Sequence, residues 1–295
     1  MKNFLVLALS ALVLFAAGTA WLLLYPAVPR DLAGAPDFDR QARHVRIAVG
    51  EADSLDAWVL RGTRPGVIVL FHGFARDHSR VWRYAQFLRR DGWTIVAPDF
   101  RSSREKNRKP TTLGWYELQD GEAVLAWLAK HPKLAGEPIG LFGESLGASV
   151  AIALASAHSE VRVVVADCPF ATGKLAIEDG CVCEGHLPAV PFAAITRLLG
   201  RVVTGHDPAA LDVVAAVQRY GDRPLFLIQA GLEDRFRVPQ TLLLEHAAGA
   251  QTEAWRVADA GHNEAWIQHR REYETRVGSF FREFLHGPRY AAMER

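Results

Sequence analysis

Cysteines are scarce in this sequence, and neither sign of charge is in excess. Cys168, Cys181 and Cys183 are the 3 cysteines among 295 residues, too few for a disulfide framework. Cys181 and Cys183 lack two further ligands at zinc-site spacing. The near balance of 34 basic and 33 acidic residues gives no global argument for a nucleic-acid partner. We therefore predict free thiols and no nucleic-acid binding.

Tandem repeats, low-complexity tracts, glycine-rich phosphate loops and clusters of metal ligands are also absent from the sequence. These absences leave no basis for a cofactor or a metal ion, and we predict neither. The sequence does have a hydrophobic fraction of 49% over 295 residues. That is enough for one large α/β domain with a substantial core.

The N-terminal region contains a long uncharged stretch, residues 4–25. A helix of this length, rising about 1.5 Å per residue, spans roughly 30 Å, the thickness of a bilayer core. One interpretation is a cleaved signal peptide that uses Lys2 as its charged region and ends near residue 20. The apolar run continues through Trp21 and Tyr25, which suit a membrane interface, so we favour a retained transmembrane helix.

The charges that flank this stretch favour a main domain outside the cytoplasm. Lys2 favours keeping the short N-terminal side in the cytoplasm, whereas Arg30, Arg40 and Arg43 argue weakly the opposite way. Residues 26–42 carry three prolines and mixed charges and are typical of a linker. We therefore predict a single-pass membrane protein that is held to the bilayer by this helix, and we leave its oligomeric state open.

Eight apolar runs typical of strands alternate with helical patterns along residues 43–286. These runs are residues 44–49, 55–60, 66–71, 94–99, 139–142, 161–166, 225–228 and 253–258. The first two predict an antiparallel pair, and the others predict parallel strands covered by helices on both faces. We therefore predict an α/β fold with a mostly parallel eight-stranded sheet flanked by helices.

Residues 170–222 interrupt this alternation with glycines, prolines and an apolar helix near residues 192–203. We interpret this segment as a cap inserted above the sheet. Its apolar side chains favour an acyl or other hydrophobic ligand, and they are Leu187, Val190, Phe192, Ile195, Leu198 and Leu199.

Residues 143–147, Gly-Glu-Ser-Leu-Gly, lie between a predicted strand and a predicted helix rich in small residues. A serine on such a turn, with glycine two positions to either side, is the nucleophile-elbow pattern. The turn strains the serine backbone, and side chains at the glycine positions would collide with the neighbouring strand and helix. The pattern predicts that the Ser145 hydroxyl is raised above the sheet and acts as a nucleophile.

A serine nucleophile needs a base to take its proton, and the base needs an acceptor on its other ring nitrogen. His262 follows the last predicted strand, and Asp234 follows the strand before it. Because ligands bind at the carboxyl ends of parallel strands, Ser145, Asp234 and His262 are expected at one edge of the sheet. Two other acids compete with Asp234 for this role: Glu233, its neighbour, and Asp167, which follows the sixth strand.

The negative charge that develops on a reacting carbonyl oxygen is stabilised by two N–H donors. The residue after the nucleophile, Leu146, supplies one backbone N–H, and Phe74, which follows the third strand, is placed to supply the other. His72 is interpreted as a structural residue that braces this loop. The basic residues between 101 and 109 predict a solvated loop, and contact with anionic lipid headgroups is the alternative.

These motifs together resemble the α/β-hydrolase superfamily, and the likeness covers nearly everything after the linker. Within it the sequence is similar to the Bem46-like and YqkD-like serine hydrolases, which often carry an N-terminal membrane segment. The stretches that carry the resemblance are residues 70–74, 111–117, 143–147, 166–170, 231–234 and 261–264.

The resemblance implies an α/β-hydrolase fold with a catalytic triad of Ser145, Asp234 and His262, and oxyanion donors at Phe74 and Leu146. It also implies ester or amide hydrolysis without a cofactor. The sequence departs from the pattern in two places. Residues 102–105 replace the usual glycine-rich turn, and Val238-Pro239 comes one position late after the acid.

The function predicted from the sequence is hydrolysis of an ester through an acyl-enzyme. Nothing in the sequence marks an extended peptide groove, so an ester is favoured over a peptide. A peptidase or a thioesterase with the same triad, and a binding protein that leaves the triad unused, remain as alternatives.

Overall fold

An eight-stranded sheet in the order β1-β2-β4-β3-β5-β6-β7-β8 forms the centre of the molecule. The computed structural model describes residues 2–29, 40–104 and 108–285. The strands β1 to β8 are Arg43–Val49, Asp53–Leu60, Val67–Phe71, Thr94–Pro98, Ile139–Glu144, Val161–Asp167, Leu225–Ala230 and Thr252–Val257. Strand β2 pairs antiparallel with β1 and β4, and every other pairing is parallel. The predicted mostly parallel eight-stranded sheet is confirmed.

Helices cover both faces of this sheet and also lie above one of its edges. The helices α1 to α10 are Lys2–Leu24, His78–Arg90, Trp115–Lys130, Leu146–Ala157, Gly173–Asp179, Ala189–Thr204, Val213–Tyr220, Gln240–Ala247, Ala265–Gln268 and Arg270–Phe284. A π-helical turn, Gly180–Glu184, follows α5.

The central strands are buried on both faces, and alternate residues enter two separate cores. On β3, Val69 packs with Leu141 and the small residues of α4 on one face. Ile68 packs on the other face, in the core that contains Trp82 of α2 and Phe281 of α10. This alternation follows from the two-residue period of a strand, and it explains why these strands read as continuous apolar runs.

The helices between β6 and β7 divide into two groups. Val213, Ala216 and Val217 of α7 join the same core as α4, so α7 covers the sheet. Helices α5 and α6 and the π-helical turn, residues 173–204, lie above the sheet edge instead. The predicted cap at 170–222 therefore includes one helix that belongs to the sheet layer.

Among the described residues, no helix is long and apolar enough to cross a membrane. The predicted single-pass membrane location is therefore wrong, and the predicted transmembrane helix and membrane partner are not supported. Helix α1 uses part of its apolar surface within the protein. Its Ala16 is buried in a cluster with Phe192 and Ala193 of α6, and the Phe15 ring contacts Phe192 edge-on.

The basic segment after β4 is partly buried rather than solvated. Arg101 is only 5% exposed and pairs with the buried Asp120 of α3, and Arg104 pairs with Asp53 at 2.8 Å. Residues 105–107 of this segment and residues 30–39 of the predicted linker lie outside the described residues. Residue 286, the predicted end of the main domain, lies outside them too.

Candidate active site

Ser145 sits on a strained turn between β5 and α4. Its backbone has φ 52° and ψ −118°, in a region that side chains other than glycine rarely adopt. A Cβ on Gly143 would lie 2.2 Å from the carbonyl oxygen of Gly147, and one on Gly147 would lie 2.4 Å from that of Phe71. The two glycines are therefore required by close backbone contacts, as expected for a nucleophile elbow.

Backbone contacts fix this turn from both sides. The N–H of Ser145 donates to the carbonyl oxygen of Asp167 at 2.8 Å, which ties the turn to the end of β6. A Cβ on Gly73 would lie 3.4 Å from Cβ of Ser145, so the loop after β3 passes directly beside the nucleophile. Leu146, the first residue of α4, and Phe74, the next residue of that loop, both line the cavity in front of Ser145. Their roles as oxyanion donors stay predictions.

His262 is held against Ser145 by the loop that follows β8. The His262 Nε2 atom lies 3.0 Å from the Ser145 Oγ atom. The imidazole side chain is only 5% exposed, and the ring of Phe236 contacts it edge-on at 5.3 Å between centroids. These contacts leave the ring little freedom to turn away from the serine.

Glu233, and not Asp234, contacts the other nitrogen of His262. The Glu233 Oε2 atom lies 2.7 Å from His262 Nδ1, and the Glu233 side chain is 9% exposed. An ionised carboxylate only accepts hydrogen bonds, so Nδ1 carries the proton and Nε2 is left to accept the hydroxyl hydrogen of Ser145. Asp234 is exposed. The predicted partnership of Asp234 with His262 is thus corrected to Glu233, because the turn after β7 directs the first of the two carboxylates inward.

Asp167, the other competing acid, is engaged elsewhere. Its Oδ2 atom accepts a buried hydrogen bond from the hydroxyl of Tyr273 at 2.8 Å. Burial raises the pKa of Asp167 to about 6.

His72 braces the loop after β3, in agreement with its interpretation from the sequence. Its Nδ1 lies 2.9 Å from the carbonyl oxygen of Gly73, and its Nε2 lies 3.1 Å from the backbone N–H of Phe100. Both contacts are satisfied when Nδ1–H donates and Nε2 accepts.

An apolar cavity, partly open to solvent, lies in front of Ser145 and His262. Its lining differs from the cap residues predicted from the sequence. Val190 and Leu198 are 83% and 61% exposed, and Phe192 is buried against α1. The cavity is lined instead by side chains that include Leu23, Leu24, Leu113, Phe170, Ile177 and Phe236.

Two charged residues at the cavity, Glu184 and Arg235, neutralise each other. The Arg235 guanidinium donates to Glu184 at 2.7 Å, joining the π-helical turn to the loop that carries Glu233. Further along this loop, Arg237 donates to the buried carboxylate of Asp179 at 2.6 Å. The two ion pairs connect the cap to the loop that positions Glu233.

Among the described residues, one group has ligand atoms close enough together to share a metal ion: Cys168, Glu233 and His262. Their ligand atoms all lie within 4.8 Å of one another. Glu233 and His262 already share a hydrogen bond. Burial raises the pKa of the Cys168 thiol, which disfavours the thiolate that binds metals. The arrangement suits proton transfer to and from Ser145 better than metal binding.

The strained serine between β5 and α4, with a histidine after the last strand, is characteristic of α/β-hydrolases. The family model of the X-Pro dipeptidyl-peptidases (S15 family) matches residues 40–276, and the chain belongs to this family. The chain is thus a hydrolase of the α/β-hydrolase superfamily, and the predicted resemblance is confirmed.

Two relatives and one solved structure are similar to this chain. Protein YqkD of Bacillus subtilis is 26% identical over 220 residues, 73% of this chain and 71% of YqkD. The pyrrolizixenacetamide deacetylase of Xenorhabdus hominickii is 26% identical over 165 residues, 55% of this chain and 58% of the deacetylase. The structure of the Pyrococcus furiosus esterase Pf2001 superposes on this chain with a TM-score of 0.71 at 23% identity. The match covers 88% of this chain and 100% of the esterase, and it shows that the two share a fold.

Proposed function

We propose that this chain is a serine hydrolase that cleaves carboxylic esters through an acyl-enzyme. The observation that carries the proposal is the hydrogen-bonded series from Ser145 through His262 to Glu233, with distances of 3.0 and 2.7 Å. It supplies a nucleophile, a base and a group that orients the base.

In the first half of the reaction, the Ser145 oxygen attacks the ester carbonyl carbon while Nε2 of His262 takes the hydroxyl proton. Negative charge on the carbonyl oxygen is stabilised by the backbone N–H groups of Leu146 and Phe74, and loss of one such donor typically costs about 10²–10³ in rate. His262 then gives the proton to the departing alcohol oxygen as the carbon–oxygen bond breaks. The acyl group remains as an ester of Ser145.

In the second half, His262 takes a proton from water, and the hydroxide attacks the acyl carbon. The Ser145 oxygen leaves and recovers the proton from His262, which releases the carboxylic acid. Glu233 stays ionised throughout and stabilises the imidazolium that forms twice in the cycle.

The cavity favours a neutral, apolar acyl group over a peptide with a free N-terminus. An X-Pro dipeptidyl-peptidase substrate presents an α-ammonium group at neutral pH, which calls for an unpaired carboxylate. The carboxylate of Glu184 at the cavity is paired with Arg235. Amide hydrolysis is the second candidate, because the deacetylase relative carries that activity in its name.

Turnover of p-nitrophenyl acetate, p-nitrophenyl octanoate, an acetanilide and an X-Pro p-nitroanilide tests the proposal. We expect cleavage of the esters, with rates lost in Ser145→Ala and in His262→Ala. Faster cleavage of the X-Pro anilide than of either ester would replace the esterase assignment by a peptidase. Ester cleavage that persists unchanged in both variants would remove the proposal.

A further inference from the structure

The last turn of α1 reaches the candidate active site. Leu23 and Leu24 line the same cavity as Ser145 and His262, although more than 100 residues separate them along the chain. Leu24 is 4% exposed and Leu23 is partly buried, whereas the neighbouring Leu22 is 69% exposed.

The last turn of α1 is held in place by a buried helix face and by two hydrogen bonds to backbone carbonyl oxygens at the end of the helix. Ala16, Ala20 and Leu24 are spaced four residues apart, so they lie on one face of α1, and all three are buried. The carbonyl oxygen of Leu24 accepts a hydrogen bond from the N–H of Thr111 at 2.8 Å. The carbonyl oxygen of Pro26, just beyond the helix, accepts one from Arg108 at 2.5 Å.

The segment that holds the end of α1 is itself fixed by hydrogen bonds and lines the cavity. Glu117, at the start of α3, accepts hydrogen bonds from the hydroxyls of Thr111 and Thr112, both at 2.7 Å. Thr111 and Leu113 line the cavity beside Leu23 and Leu24. The end of α1 and residues 111–113 therefore form one continuous wall.

We propose that the last turn of α1 is a wall of the acyl pocket, and that Leu23 sets the length of the acyl chain this pocket accepts. The proposal rests on the esterase function proposed above. An acyl group bound to Ser145 extends into the apolar cavity, so the residues that line the cavity limit its length. Because Leu23 is partly buried at the wall, its size can change without breaking the packing of Ala16 and Ala20.

The test is kcat/KM for p-nitrophenyl acetate, butyrate, octanoate and dodecanoate with the full chain and three variants. Leu23→Trp fills the pocket, so we expect the ratio of kcat/KM for octanoate to that for acetate to fall about tenfold. This is the effect expected when two methylene groups lose their place in the pocket. Leu23→Ala opens it, and the dodecanoate-to-octanoate ratio is expected to rise severalfold. Leu22→Trp makes the same change on the exposed face and should leave both ratios within about twofold of wild type.

The proposal is overturned if neither Leu23 variant changes the chain-length ratios, or if Leu22→Trp changes them as much as Leu23→Trp. Should Leu23→Trp not fold, Leu23→Ala still decides the question, because it adds no bulk.

Failure of the esterase function has a different signature. It would show as no ester turnover by wild type at any chain length. In that case, calorimetric titration of wild type and the Leu23 variants with fatty acids of 4 to 14 carbons tests whether Leu23 limits the chain length that the pocket accepts, independently of any ester turnover. Affinity for the longer acids that falls in Leu23→Trp supports the wall, and affinity that is the same in all variants refutes it.

Discussion

At the scale of single residues, the carboxylate of Glu233 orients His262. Glu233→Gln keeps the size of the side chain but allows the wrong imidazole tautomer. We therefore expect kcat for ester hydrolysis to fall about 10⁴-fold, as when an aspartate in this role is made an amide. Steady-state kinetics at saturating ester, with circular dichroism to verify folding, measure the effect.

Two neighbouring acids serve as matched controls for Glu233. Asp234→Asn alters an exposed carboxylate in the same turn, and Asp167→Asn alters a carboxylate that binds Tyr273. Both are expected to keep kcat within about tenfold of wild type. A loss in Asp234→Asn as large as that in Glu233→Gln would restore Asp234 as the acid.

The buried carboxyl of Asp167 makes a second residue-scale prediction, on stability. Burial raises its pKa from the usual 3.8 to about 6, so the native state binds this proton more tightly than the unfolded chain does. The free energy of unfolding should then fall by roughly 3 kcal/mol from this group alone as the pH rises from below about 4 to above about 6. Urea unfolding at several pH values should show a flatter profile for Asp167→Asn, and an unchanged profile would contradict the prediction.

Ser145 and His262 were predictable from the sequence because each follows its own strand, and parallel strands bring their carboxyl ends to one edge. The choice between Glu233 and Asp234 was not predictable. Adjacent side chains in a turn point in different directions, and backbone dihedral angles decide which one faces the histidine. The late position of Val238-Pro239 was the one sign in the sequence that this turn departs from the family pattern.

At the scale of elements, the close contact between the elbow and the end of β3 predicts a large effect of a single methyl group. A Cβ on Gly147 would lie 2.4 Å from a backbone oxygen of Phe71 and 2.6 Å from that of His72. Because backbone atoms cannot rotate away, Gly147→Ala is expected to lower the free energy of unfolding by about 3 kcal/mol or more.

Gly18→Ala is the matched control, since no atom of the described residues lies within 4 Å of a Cβ built at this helical glycine. It should leave stability unchanged or raise it by up to about 1 kcal/mol. Equal stability of the two variants in urea unfolding would argue against the packing of the elbow on β3.

The strands and most of the helices were predictable because their apolar periods report directly on burial. For helix α1 the apolar pattern does not identify what covers the helix. A helix that is apolar on all sides has the same sequence pattern whether its surface contacts lipid or protein. The contact of Phe15 with Phe192 joins residues that are far apart in the sequence, so the local pattern does not predict it. For the same reason, the apolar pattern of α6 predicts contacts with the substrate, although Phe192 packs against α1.

At the scale of the whole molecule, α1 completes the cap. Removal of residues 1–29 exposes the buried cluster of Ile177, Phe192 and Ala193 and opens one cavity wall. We expect the truncated protein to keep the sheet, because α1 packs chiefly on α6. It should melt several degrees lower, since each kcal/mol lost moves Tm by about 2–4 °C in a domain of this size.

Calorimetry and binding of an apolar fluorescent dye would measure this loss and the newly exposed surface. An unchanged melting temperature together with unchanged dye binding would show that α1 contributes nothing to the folded domain.

The most direct test of the central claim is to map where a fluorophosphonate reacts with the intact protein. The Ser145–His262–Glu233 arrangement predicts a single phosphonyl adduct, located on Ser145 by tandem mass spectrometry. It further predicts that the adduct is absent in Ser145→Ala and forms far more slowly in Glu233→Gln. Labelling of another residue, or equal labelling of wild type and Ser145→Ala, would contradict the account.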